Sequence, residues 1–169
     1  GADLREARLK GADLYGAFIS GARFDKADLT EASLSHAHGD GANFGAANLY
    51  GAALTNANLQ DVSLWSADLR QALLCDANLK GADISPADLR GADITAAKLQ
   101  GACLCYAAMD GETVIGRCWA DEKTDTRAAA LNAARVYPPS LQFFQYANRR
   151  LGWQDWYRQH PRLKYPVAA

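Results

Sequence analysis

The sequence predicts an all-β solenoid over residues 1–115, followed by a different, helical segment over residues 116–169. Three observations carry this expectation. Stepping by five from Leu4 to Met109 gives 22 pentapeptides with no insertion. Within them the alphabet is positional: alanine stands two places before the centre in 21 of 22 cases, and the centre is Leu, Ile, Phe or Met in 21, the exceptions being Val62 and Gly39. After Met109 the composition changes, from 14 acidic against 9 basic residues in 1–110 to 5 against 9 in 111–169, which also holds 9 of the 16 aromatics.

A period of five fits neither the 3.6 of a helix nor the 2 of an extended strand, so the chain must turn once per repeat. If each pentapeptide is one side of a coil, the alanine and the large centre both face inward, and the alanine is small because its neighbours crowd an axis. The phrase is Ala-Asp/Asn-Leu, as in Ala12-Asp13-Leu14, Ala57-Asn58-Leu59, Ala67-Asp68-Leu69 and Ala87-Asp88-Leu89. Short polar side chains before the centre suit hydrogen bonding to nearby backbone at turns. Glycine recurs two places after the centre, from Gly11 to Gly101, where a corner needs permissive dihedrals.

On these motifs the sequence resembles the pentapeptide repeat proteins, over residues 1 to about 115. The resemblance implies a right-handed quadrilateral β-helix with four pentapeptides per coil, so that residues 20 apart stack. The 22 repeats then make about 5.5 coils, a rod on the order of 26 Å long at one strand spacing per coil. One inward column is Leu4, Phe24, Phe44, Leu64, Ile84 and Leu104, and another is Leu14, Leu34, Leu54, Leu74 and Ile94. A third, Ile19, Gly39, Leu59, Leu79 and Leu99, lacks one side chain, so a leucine at 39 is expected to be neutral or stabilising. Beside that break, His36, His38 and Asp40 form an H-x-H-x-D string of weak metal-ligand character, since ligands must converge and these alternate around a corner.

Some members of the resembled family mimic DNA and bind type II topoisomerases, notably quinolone-resistance proteins that act on DNA gyrase. The net charge of −5 over residues 1–110 favours that role. The layout opposes it: Asp28, Asp68 and Asp88 share a face with Asn48, but Arg70 and Arg90 interleave with them, whereas competing for a polyanion site needs a continuous negative field. Trp65 joins these aspartates as a candidate partner contact, and Tyr15, Phe18, Tyr50 and Tyr106 are further outward aromatics.

Beyond Met109 one last strand is expected through Val114-Ile115-Gly116. A helix capped by Asp125 or Thr126 is then expected through Arg135 toward Tyr137, with a second after Ser140. These helices would cap the open end of the solenoid. Phe143, Phe144, Trp153, Trp156 and Tyr157 are the candidates for self-association as a homodimer, which the resemblance also suggests. Aromatics among Arg149, Arg150, Arg158, Arg162 and Lys164 raise direct nucleic-acid contact, but solvated helix faces carry such charges routinely.

The remaining classes fall away. No run approaches the roughly 18 apolar residues of a membrane span, and four cysteines without CxxC spacing suggest reduced thiols in the cytoplasm. Cys103 and Cys105 lie on one side of one repeat, and Cys118 is placed where it could approach Cys105. No cofactor motif, phosphate loop or triad is readable, and a solenoid packed with alanine and leucine offers no cleft for catalysis. The expected function is a non-enzymatic scaffold that presents flat faces to an unidentified protein partner; the alternative is a DNA-mimicking gyrase inhibitor. The start inside a repeat, at Gly1-Ala2-Asp3-Leu4, is expected to mark a processed or excised chain or an end covered by a neighbour.

Overall fold

A five-residue side can turn a corner in a buried stack only if each of its N–H groups finds an acceptor. The computed structural model describes residues 1–116, 118, 120, 123–124 and 135–137 and shows where each N–H goes. The alanine closes the turn onto the preceding centre, as Ala7 does to the Leu4 carbonyl at 3.2 Å. The residue before the centre donates to the previous coil (Arg23 to Ala2, 2.9 Å), and the centre donates to the next (Leu4 to Arg23, 2.7 Å). The corner residue also donates to the next coil, as Glu6 does to Asp25 at 2.9 Å.

One N–H per repeat is left over, that of the residue after the centre. Where an Asp or Asn stands before the centre its side chain can accept it: Tyr15 donates to Asp13 at 3.0 Å, Gly45 to Asn43 at 2.8 Å, and Arg70 to Asp68 at 3.1 Å. This is why the repeat carries Asp or Asn there. Asparagine adds a donor that ties coils together, through Asn43 to Asp25 (2.8 Å) and Asn78 to Asn58 (2.8 Å).

Parallel bridges join residues 20 apart, from Asp3 with Arg23 to Asp88 with Ala108, which makes a coil four pentapeptides around. At the corners from Glu6 to Tyr106 the backbone lies in the left-handed region whether or not the residue is glycine, as at Gly81 (φ 67°) and His36 (φ 60°). Pro86 is the exception, because its ring forbids positive φ. It also lacks the N–H that other corners donate upward, and the bond in the coil beneath, Ser66 to Ser85, stretches to 3.3 Å.

The interior is a tube of alanines and centres, fully buried from Ala22 to Leu104 along each column, with Leu4, Leu9 and Leu14 of the first coil half-buried against it. Phe24 and Phe44 stack within their column at 4.8 Å and 3°, an offset ring geometry that adds to their burial. They do not fill the gap at Gly39. Ile19 and Leu59 do: a Cβ at 39 would stand 3.0 Å from Leu59 Cδ2 and 3.4 Å from Ile19 Cδ1. A leucine there needs Leu59 and Ile19 to give way by a few tenths of an ångström, and whether those two side chains can do so sets the sign of its effect on stability.

After Met109 the register slips by one residue, so that Val114 rather than residue 113 pairs with Asp93. Ile115, fully buried, stands on the Ile94 column within strand β1, Val114–Gly116. Strand β2, Arg135–Tyr137, then pairs in parallel with β1, Ile115 opposite Val136. The expected helix through Arg135 to Tyr137 is thus corrected to a strand. Val136 is β-branched, and Tyr137 precedes Pro138, whose ring drives the residue before it out of helical geometry. There is no helix among the described residues; the rest of the expected helical cap, with Phe143, Phe144, Trp153, Trp156 and Tyr157, lies outside them.

Candidate functional site

The residues before and after each centre flank an inward side chain and therefore point outward together. On one side of the solenoid this sets Asp28, Asn48, Asp68 and Asp88 in a bridged stack, with Lys10, Thr30, Tyr50, Arg70 and Arg90 in the file beside it. Each carboxylate is engaged within its own repeat. Arg70 grips Asp68 through Nε to Oδ1 at 2.8 Å and Nη2 to Oδ2 at 2.6 Å, and Arg90 grips Asp88 likewise at 2.9 and 2.5 Å. Arg70 Nε also lies 3.9 Å from Asp88 Oδ2, and its guanidinium sits 5.5 Å from the Tyr50 ring centre. Asp28 accepts from the Thr30 hydroxyl at 2.6 Å.

These contacts hold the carboxyls of Asp68 and Asp88 below the usual range, chiefly through the side-chain bonds from Arg70 and Arg90, and lower Asp28 through Thr30. The wall holds two closed ion pairs and one carboxylate, Asp28, that is hydrogen-bonded but not neutralised, so its negative field is interrupted. A third fork, Arg5 on Asp3 at 2.6 Å, stands on a neighbouring side. The recurring Asp-Leu-Arg triplet is the sequence signal for all three. Trp65, half-exposed, belongs to that neighbouring side as well, across the Ser66 corner from Asp68.

The histidines do not converge. His36 tilts against Tyr15, ring centres 5.3 Å apart, while His38 stacks on Phe18 at 4.7 Å and 8°. Asp40 instead accepts from Asn58 at 2.6 Å. Among the described residues no three His, Cys, Asp or Glu side chains gather as a metal site. Phe18 is 86% exposed, so this corner is a solvent-facing aromatic edge. Leu73, exposed in the file where Asp usually stands, is an outward apolar residue that the sequence reading passed over.

An interior space lined by the centres from Leu64 to Leu104 is wholly apolar and has no polar group to hold a substrate. The thiols are dispersed apart from one pair. Cys103 and Cys105 approach to 2.7 Å between sulfurs, whereas Cys118 bonds the Ile94 carbonyl at 2.8 Å and not Cys105. No helix among the described residues is long and apolar enough to cross a membrane.

A family model for pentapeptide repeats matches in eight copies between residues 1 and 107. Among solved structures, HetL, a pentapeptide repeat protein involved in heterocyst differentiation regulation from the cyanobacterium Nostoc, is 31% identical; the match covers 80% of this chain and 66% of that one, at a TM-score of 0.42. Rfr23 from the cyanobacterium Cyanothece is 35% identical over 57% of this chain and 62% of its own, at 0.41. The chain thus spans about two thirds of the length of these two relatives. QnrB1, a plasmid-mediated fluoroquinolone resistance protein, is 16% identical but superposes at a TM-score of 0.61, covering 80% of this chain and 75% of that one, which shows a shared fold. No curated protein matches the sequence.

Proposed function

The chain belongs to the pentapeptide repeat family, and from that premise we propose that it is a non-enzymatic scaffold whose flat outer walls dock a partner protein. The observation that carries this reading is the chemistry of the acidic wall. Its carboxylates are engaged by Arg70, Arg90 and Thr30, which leaves a mixed-charge surface flanked by Trp65 and Tyr50, suited to a polar and aromatic protein interface. Self-association through Phe143, Phe144, Trp153, Trp156 and Tyr157 belongs to the same reading, as does a cytoplasmic setting.

The second reading is a gyrase-binding DNA mimic, favoured by the net charge of −5 over residues 1–110 and by the stack of Asp28, Asp68 and Asp88. Supercoiling by bacterial DNA gyrase, titrated with the protein at several salt concentrations, separates the two. The scaffold reading expects no inhibition at any salt. Inhibition that weakens with salt and is relieved by replacing Asp28, Asp68 and Asp88 with asparagine would overturn it.

A further inference from the structure

Most repeats of this fold hold the side chains before and after the centre in register on one outer face, and where their chemistry matches they touch. Asp3 meets Arg5 at 2.8 Å, Asp28 meets Thr30 at 2.6 Å and Asp83 meets Ser85 at 2.5 Å. The repeat centred on Leu104 puts cysteine at both positions. The backbone fixes the pair: Cys103 donates to Ala82 at 2.9 Å, and its carbonyl accepts from Ile84 at 2.7 Å. The sulfurs stand 2.7 Å apart, closer than thiols with no bond between them pack, and neither is in a disulfide.

We propose that Cys103 and Cys105 form a redox-active dithiol, oxidised to an intramolecular disulfide across Leu104 by a low-molecular-weight disulfide such as oxidised glutathione. Cys103 is half-buried and Cys105 only 6% exposed, which sets the order of events. The Cys103 thiolate attacks one sulfur of the oxidant and expels one glutathione thiolate, leaving a mixed disulfide. The Cys105 thiolate then attacks the Cys103 sulfur and expels the second glutathione. Two protein thiols are oxidised, one disulfide is reduced, and the two protons end on the two glutathiones.

The other two cysteines serve as internal references. Burial pushes the Cys75 thiol up to about 11, assisted by Asp93, and pushes Cys118 up to about 12; neither supplies much thiolate near neutrality.

The experiment treats the reduced full-length chain with oxidised glutathione, blocks remaining thiols, and weighs tryptic peptides. Cleavage after Lys98 and Arg117 yields a peptide that holds Cys103 and Cys105 but neither Cys75 nor Cys118. The expected result is that this peptide becomes two hydrogens lighter and carries no adduct, while Cys75 and Cys118 are recovered blocked. In Cys105→Ser the same peptide should instead retain one glutathione on Cys103. A wild-type peptide that stays fully reduced, or that accumulates glutathione on both cysteines without closing the ring, would overturn the proposal.

Discussion

The body of the solenoid, up to Met109, and the described residues that follow it, from Asp110 to Thr124, solve the same problem by different means. In the body, four of the five N–H groups of a typical repeat are met by main-chain carbonyls, and where Asp or Asn precedes the centre its side chain can meet the fifth, as Asp68 does for Arg70. Past Met109 the extra residue shifts the carbonyls out of phase, and side chains take over. Asp110 Oδ1 accepts from the N–H groups of Gly91, Glu112 and Thr113, each at 3.0 Å. The Thr113 hydroxyl donates to the Leu89 carbonyl at 2.9 Å, Cys118 bonds Ile94, and Thr124 bonds Leu99 at 2.9 Å. Periodic order needs only the repeat; leaving the period requires individually placed polar groups.

The largest expected effect therefore falls in the body, where no polar partner exists to absorb a mistake. Leu59→Asp places a carboxylate among fully buried leucines, and without a partner its desolvation exceeds about 4 kcal/mol. The variant is expected to lose the cooperative far-ultraviolet melt altogether. Unchanged stability would break the comparison, because the centres would then not face inward.

In the transition the cost is smaller and more local. Thr113→Val deletes a fully buried hydroxyl that donates to Leu89 and accepts from the N–H groups of Gly91 and Asp110, at 3.2 and 3.0 Å. Leu89 keeps its bond from Ala92 and Gly91 its bond to Asp110, so the group left stranded is the Asp110 N–H; the change should cost about 1–3 kcal/mol in urea denaturation, with faster hydrogen exchange at Asp110. Thr113→Ser should keep most of the lost stability. If Val and Ser behave alike, packing rather than the hydroxyl holds the turn.

How much was legible follows the same division. The inward positions and the role of Asp and Asn at turns can be read from residue position alone, because Leu64 and Leu69 do the same job one side apart, whereas the 20-residue stack came from the resemblance to the pentapeptide repeat family. The slip before Ile115 was hidden, since one inserted residue leaves the composition of Asp110-Gly111-Glu112-Thr113 looking like an ordinary loop. The strand at Arg135–Tyr137 was masked by the alanine run before it, although Pro138 argued against a helix reaching Tyr137. At the acidic wall the interleaving of Arg70 and Arg90 was readable, but their two-point grip on Asp68 and Asp88 was not, because that depends on rotamers. The contact between Cys103 and Cys105 was half-visible: one side of one repeat is a statement of sequence, whereas a 2.7 Å approach is a statement of geometry.

The smallest effect concerns acid, and its sign follows from those forks. Asp68 and Asp88 titrate lower in the folded chain than in the unfolded one, mainly through their bonds from Arg70 and Arg90. Their stabilisation is therefore fully present above the unfolded carboxyl value near about 4 and is lost as pH falls through the lower folded value. Both carboxylates are partly exposed, at 29% and 27% for the side chains, and their arginines at 44% and 51%, so screening keeps each contribution below about 1 kcal/mol. Melting temperature measured from pH 6 to pH 2 should fall in the wild type below about pH 4 and fall less steeply in Asp68→Asn/Asp88→Asn. Asparagine keeps the acceptor for the Arg70 and Arg90 main-chain N–H groups, so the double variant separates the turn bond, which pH leaves alone, from the ion pair, which it does not. Equal slopes in the two proteins would place the acid sensitivity at other carboxylates. The first of these is Asp110, where burial pushes the carboxyl up but the N–H groups of Gly91, Glu112 and Thr113 hold it lower on balance.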